Sequence, residues 1–91
     1  MNYSFEWDPD KEQTNIAKHG VDFNEAASAF ADPLAEWSMD ERAYGGEERF
    51  IALGRSSSRR LILVVFTERE GCVRIISARR STRRETKAYE G

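Results

Sequence analysis

One cysteine, one histidine, three lysines and two prolines in 91 residues leave several kinds of chemistry without material. Cys72 has no second thiol for a disulfide and none at the spacing of a zinc site. No group of His, Asp and Glu recurs at metal-ligand spacing, so neither a metal nor another cofactor is expected. No apolar run is long enough to span a bilayer, and the start does not read as a signal peptide; the expectation is a soluble cytoplasmic protein. Repeats and low-complexity tracts are also missing. A chain of this length builds one domain, residues 1–91, around one modest core.

What the chain has is arginine, eleven against three lysines, a bias towards planar, two-pronged contacts with phosphate or carboxylate. The net charge of −2 conceals how the charges are distributed. Residues 1–54 carry four basic and twelve acidic side chains, and residues 55–91 carry ten basic and four acidic ones, so the halves stand at −8 and +6. Such a split predicts a basic binding face on an otherwise acidic protein.

Local patterns predict the elements. Tyr3 to Trp7 alternates aromatic and polar residues, as a short strand does. Asp8-Pro9 opens a helix and Gly20 closes it with a left-handed cap. Asp22 and Glu25 form a capping box for a second helix carrying Phe23, Ala26, Ala27 and Phe30 on one face, which Asp32-Pro33 stops. Leu34 to Met39 reads as a strand, Asp40 to Glu47 as a charged loop turning at Gly45-Gly46, and Arg49 to Arg55 as another strand. Leu61 to Phe66, apolar on both faces, is a central strand that a hairpin at Glu68 to Gly71 joins to Cys72–Ala78. Arg79 and Arg80 end that strand, and Thr82 with Glu85 caps a last helix. The order is β-α-α-β-β-β-β-α: an α+β fold with a mostly antiparallel sheet, two N-terminal helices and one C-terminal helix.

Phe5-x-Trp7-Asp8-x-x-Lys11, Asn15, Lys18-His19-Gly20-Val21-x-Phe23-x-Glu25-Ala26, Phe30-x-Asp32-Pro33, Glu48-Arg49, Thr67-x-Arg69 and Arg74 to Arg80 together resemble BrnT-type toxins, the toxin halves of bacterial type II toxin–antitoxin pairs. The resemblance runs from Phe5 to Tyr89. It implies a RelE/ParE-like fold, an endoribonuclease that inhibits translation, and a hetero-oligomer with a small BrnA-like antitoxin that also binds DNA.

Cutting RNA without a metal needs a base for the 2′-hydroxyl, cations for the charged phosphorane and an acid for the leaving oxygen. The candidates for that chemistry are Arg79, Arg80, His19, Glu68 and Tyr89. The candidates for holding RNA are Arg49, Arg55, Arg69, Arg74, Arg83 and Lys18. Each has an ordinary alternative. His19 can serve the C-terminal dipole of its helix, and Arg79 and Arg80 can pair with Glu85 at a solvated strand end. Arg49 and Arg55 can bridge strands, Glu68 and Arg69 can be a solvated hairpin tip, and Tyr89 can dock the last helix. Arg59 and Arg60 are expected to add only general attraction for phosphate. Trp7, Trp37 and Cys72 are expected in the core, and Asp8, Asp22, Gly20 and Glu25 at helix caps. A different class of function also fits the basic half: a non-catalytic module that binds nucleic acid or an acidic partner.

Overall fold

A computed structural model describes residues 3–44 and 47–91, with no side-chain account of residues 42–44. Five strands form one mixed sheet in the order β1-β5-β4-β3-β2. The elements are β1 (Ser4–Glu6), α1 (Pro9–His19), α2 (Phe23–Ser28) with a 3-10 turn at Ala29–Ala31, β2 (Glu36–Tyr44), β3 (Glu47–Arg55), β4 (Leu61–Arg69), β5 (Cys72–Arg80) and α3 (Arg83–Glu90). β1 runs parallel to β5, while the four remaining strands form an antiparallel meander.

The caps follow local rules. The Asp8 side chain accepts from the amide of Asp10 at the start of α1, and Gly20 closes that helix at φ 69°. Thr82 and Glu85 make the reciprocal capping box of α3. At α2 only half of the expected box forms: Asp22 accepts from the Glu25 amide, but the Glu25 side chain turns away to Arg60. Glu70 and Gly71 both take positive φ, 51° and 78°, the pairing that lets a two-residue turn follow the twist of its strands.

Helices α1 and α2 cover one face of the sheet. Val21, Phe23, Ala26, Ala29 and Phe30 meet Ala52, Ile62, Val64, Phe66, Val73, Ile75 and Ala78 there in a single core. Gly54 lies where the 3-10 turn crosses β3; a Cβ at that position would stand 2.5 Å from the carbonyl oxygen of Ala29. Tyr3, beside the first strand of the sheet, reaches Trp37 on the last, with ring centroids 5.8 Å apart. The sheet is therefore curled strongly around this core.

One extra residue changes how β5 presents its side chains. Ser77 pairs with Val65, but Ile75 pairs with Phe66, so Ile76 is a bulge. Val73 and Ile75 thus share the helix-covered face with Ala78, although their numbers differ in parity. Arg80 follows onto that same side, opposite Ile62, while Arg79 faces the other way, opposite Leu63. Sequence periodicity predicted neither consequence.

β2 is longer than expected. The segment 40–44 read as loop is strand, with Asp40 opposite Arg49 and buried to 7 % exposure. Pairing with β3 overrides the charged composition. The expected Gly45-Gly46 turn lies outside the described residues. Trp37, expected in the core, packs on Phe30 and Phe66 but stays 46 % exposed.

Candidate functional site

The side of the sheet away from α1 and α2 carries the arginines. At one end, α3 lies over Leu53, Leu61 and Leu63 through Tyr89. No residue of α3 is buried, so specific contacts hold it down. The Tyr89 hydroxyl donates to Asp32 Oδ2 at 2.5 Å, and the Arg55 guanidinium lies 5.5 Å from the centre of the Tyr89 ring. Arg79 donates from both terminal nitrogens to the two carboxylate oxygens of Glu85, each at 2.9 Å. Burial pushes the Asp32 carboxyl up, but the Tyr89 hydroxyl and the amides of Arg55 and Leu34 outweigh it and hold the group below its usual range. The same Asp32 contact, with burial, raises Tyr89 above its usual value. Its proton is committed to docking the helix.

Further along the face, Arg74 donates to Glu6 of β1 at 2.5 Å, and this pair holds Glu6 below the usual carboxylate range. Thr67 lies beside Arg74 in register, its hydroxyl donating to the Glu48 carbonyl. Arg49 shares the parity of Ile51 and Leu53 on β3 and so faces this side. Arg79, Arg74, Arg49, Arg55 and Arg69, which shares the parity of Thr67 and lies near Glu6, therefore belong to one face, and Arg80 does not.

A groove runs along the edge of β5 beyond the end of β1. Lys11, Thr14, Lys18 and His19 line it from α1, and Ile76 and Ser77 from the bulge. Asn15 closes its floor. The Asn15 side-chain amide donates to the carbonyls of Ala78 and Val21, at 2.8 and 2.9 Å, and its oxygen accepts from the Ala78 amide at 3.0 Å. It thereby gives the β5 edge the two main-chain partners that a neighbouring strand would supply. Ser77 belongs both to this groove and to the arginine face, with Arg79 two residues on, about 7 Å away by strand rise.

The other candidates lie away from the groove. Glu68 pairs with Val73 and Arg79 with Leu63, so five residues of β4 separate them, about 17 Å. Glu68 and Arg69 line an acidic cleft with Glu47 and Glu48, and Arg69 makes an exposed pair with Glu47 at 3.4 Å. Arg83 is exposed on the first turn of α3. Arg60, expected to add only diffuse attraction, instead grips buried Glu25 at 2.5 Å and also donates to the Gly20 carbonyl. Arg60, opposed by burial and aided by Ser56, holds Glu25 below the usual carboxylate range. Burial raises the half-buried Cys72 thiol, which suits an inert packing residue. Among the described residues no group of His, Cys, Asp and Glu is arranged to hold a metal ion, and no helix is long and apolar enough to cross a membrane.

Lys11 and Ser77 line this groove without standing among the candidates read from the sequence. Lys11 stands at the helical spacing of Lys18, seven residues on, a signal that was available. Ser77 joins the groove only because of the bulge, which leaves no local trace in the sequence.

No curated protein matches the chain. The crystal structure of the Brucella abortus ribonuclease toxin BrnT matches with a TM-score of 0.60 at 27% identity, over 90% of this chain and all of that one. The family described as "Ribonuclease toxin, BrnT, of type II toxin-antitoxin system" matches residues 7–85, which include the whole lining of the groove and the arginines of the face. The chain therefore belongs to the BrnT ribonuclease toxins of type II toxin–antitoxin systems.

Proposed function

We propose that the chain is an endoribonuclease that cuts RNA without a metal where the α1 groove meets the arginine face at Ser77. The meeting of one histidine and two lysines in a groove that ends at Ser77, two residues from Arg79 on the same strand, carries this reading; Arg79 exchanges Glu85 for the phosphate when RNA binds. His19 serves one proton transfer and solvent water the other, so that the attacking 2′-hydroxyl loses a proton as the leaving 5′-oxygen gains one; Lys11 and Lys18 hold flanking phosphates, and Arg79 stabilises the phosphorane. Arg74, Arg49 and Arg55 extend the track for RNA across the sheet, and Arg83 adds a contact from α3. Arg80, Glu68, Arg69 and Tyr89 stand apart from that edge; Tyr89 acts by seating α3. On this reading the curled sheet is a RelE/ParE-like scaffold, and cleavage in the cytoplasm inhibits translation. A BrnA-like, DNA-binding antitoxin completes a hetero-oligomer, and its acidic side chains occlude the arginine face.

Labelled RNA incubated with the purified protein, with and without EDTA, tests the chemistry. Cleavage should persist in EDTA and leave 2′,3′-cyclic phosphate ends, and His19→Gln should abolish it without altering the melt. Cleavage that EDTA stops and magnesium restores would refute the metal-free route. A folded His19→Gln protein with full activity would refute the placement of the site.

A further inference from the structure

The strand at the free border of the sheet is poorly protected. β2 pairs with β3 on one side and, among the described residues, with nothing on the other. Native edge strands are usually short or guarded by lysine, proline or an inward charge. β2 is nine residues long and contains neither lysine nor proline; the inward charge it does carry, Asp40, sits opposite Arg49 and leaves the Glu36–Met39 stretch unguarded. Its apolar side chains are also uncovered: Met39 is 57 % and Trp37 46 % exposed, and Leu34, just before the strand, 69 %. Among the described residues, only Ile16 of the exposed large hydrophobics lies elsewhere. Beside them, Tyr3, Phe30, Ala35 and Trp37 line a cleft against the 3-10 turn, deep enough for a side chain from outside.

The charges around this border select the occupant. Glu36, Glu41 and Glu48 are exposed along it. RNA is repelled by such a rim, and a second copy would set its own acidic strand against this one. A basic, extended polypeptide fits both features, with apolar residues at every second position to cover Trp37 and Met39 and lysine or arginine between them.

We infer that β2 is the docking edge for a basic, alternately apolar segment of the antitoxin, which adds to the sheet as a sixth strand. This rests on the antitoxin partnership proposed above and locates a second contact, away from the arginine face. Main-chain hydrogen bonds along the edge supply affinity, and the side chains flanking Met39 supply selectivity.

The test is titration of the toxin and its variants with the cognate antitoxin, together with hydrogen exchange of the β2 amides. Met39→Glu should weaken binding at least tenfold while leaving RNA cleavage by the free toxin unchanged. Glu36→Lys with Glu41→Lys should also weaken it, and Ile16→Glu should not. The amides of 36–44 should gain protection in the complex. Wild-type affinity in Met39→Glu, with unchanged exchange along β2, would overturn the inference and leave the arginine-face contact standing. A free toxin that dimerises, and that Met39→Glu returns to monomer, would assign the edge to a second copy and equally overturn it. If the wild-type toxin fails to bind the antitoxin at all, the partnership itself falls, and this inference with it.

Discussion

Asn15→Ala should be among the most damaging single substitutions outside the apolar core. The side chain is 5 % exposed and serves three main-chain groups: the amide and carbonyl of Ala78 and the carbonyl of Val21. Truncation leaves all three without a protein partner. Each buried orphan costs ~1–3 kcal/mol, so the lower half of the combined range, ~3–6 kcal/mol, applies where water can enter at the strand edge. For a domain of this size each kcal/mol moves the Tm by roughly 4–8 °C, so even ~3 kcal/mol lowers it by about 12–24 °C. Asn15→Asp is nearly isosteric but sets a carboxylate against two carbonyls, and should be at least as harmful. Urea and thermal melts measure the loss, and the Ala78 amide should lose its exchange protection before the rest of β5. A loss below ~1 kcal/mol with Ala78 still protected would refute the view that this amide replaces a strand.

Three other outcomes follow from the geometry. Arg79→Ala should reduce RNA cleavage by ~100-fold or more, as loss of a charge-stabilising donor does, whereas Arg80→Ala, on the opposite face, should have a much smaller effect. Single-turnover cleavage by the two folded variants decides this, and equal effects would refute the division. Glu25 and Glu85 are both held below the ordinary glutamate value of 4.5 by their arginines. A lowered folded pKa means that the unfolded chain binds protons first. The stability of these pairs is therefore complete above about pH 4.5 and fades as the pH falls through the folded values. The urea midpoint should drop on acidification below 4.5, and less so in Glu25→Gln. RNA affinity should fall steeply with salt, because arginine and lysine contacts displace counterions from phosphate; an affinity independent of salt would contradict a phosphate track.

Helix boundaries were legible because their signals are local. Asp8-Pro9, Gly20, Asp22 and Thr82 with Glu85 each act within a few residues and cap as expected, save that Glu25 leaves the box at α2 half formed. What escaped was decided across the fold. Arg60 and Glu25 are 35 positions apart and Tyr89 and Asp32 are 57 apart, and no sequence pattern links either pair. The arginine-rich end of β5 was recognisable as a cluster, yet the strand splits Arg79 from Arg80, and the bulge at Ile76 brings Ser77 to the groove. The charged residues of 40–44 looked like loop because composition registers solvation and not the neighbouring strand that claims their main chain.

The parallel pairing of β1 with β5 also sets a timetable for synthesis. Glu6 must wait for Arg74, 68 positions later, and Asn15 must wait for Ala78. At the ~5–20 residues per second of translation, that delay is roughly 3–14 s. Until then the first twenty residues have no permanent seat, and the groove between α1 and β5 does not exist. The two walls of the proposed cleavage site are thus made 63 positions apart. A chain halted before β5 lacks both the site and the border that shapes it. A ribosome making this toxin is exposed to that molecule's activity only once β5 has left it and paired with the first strand.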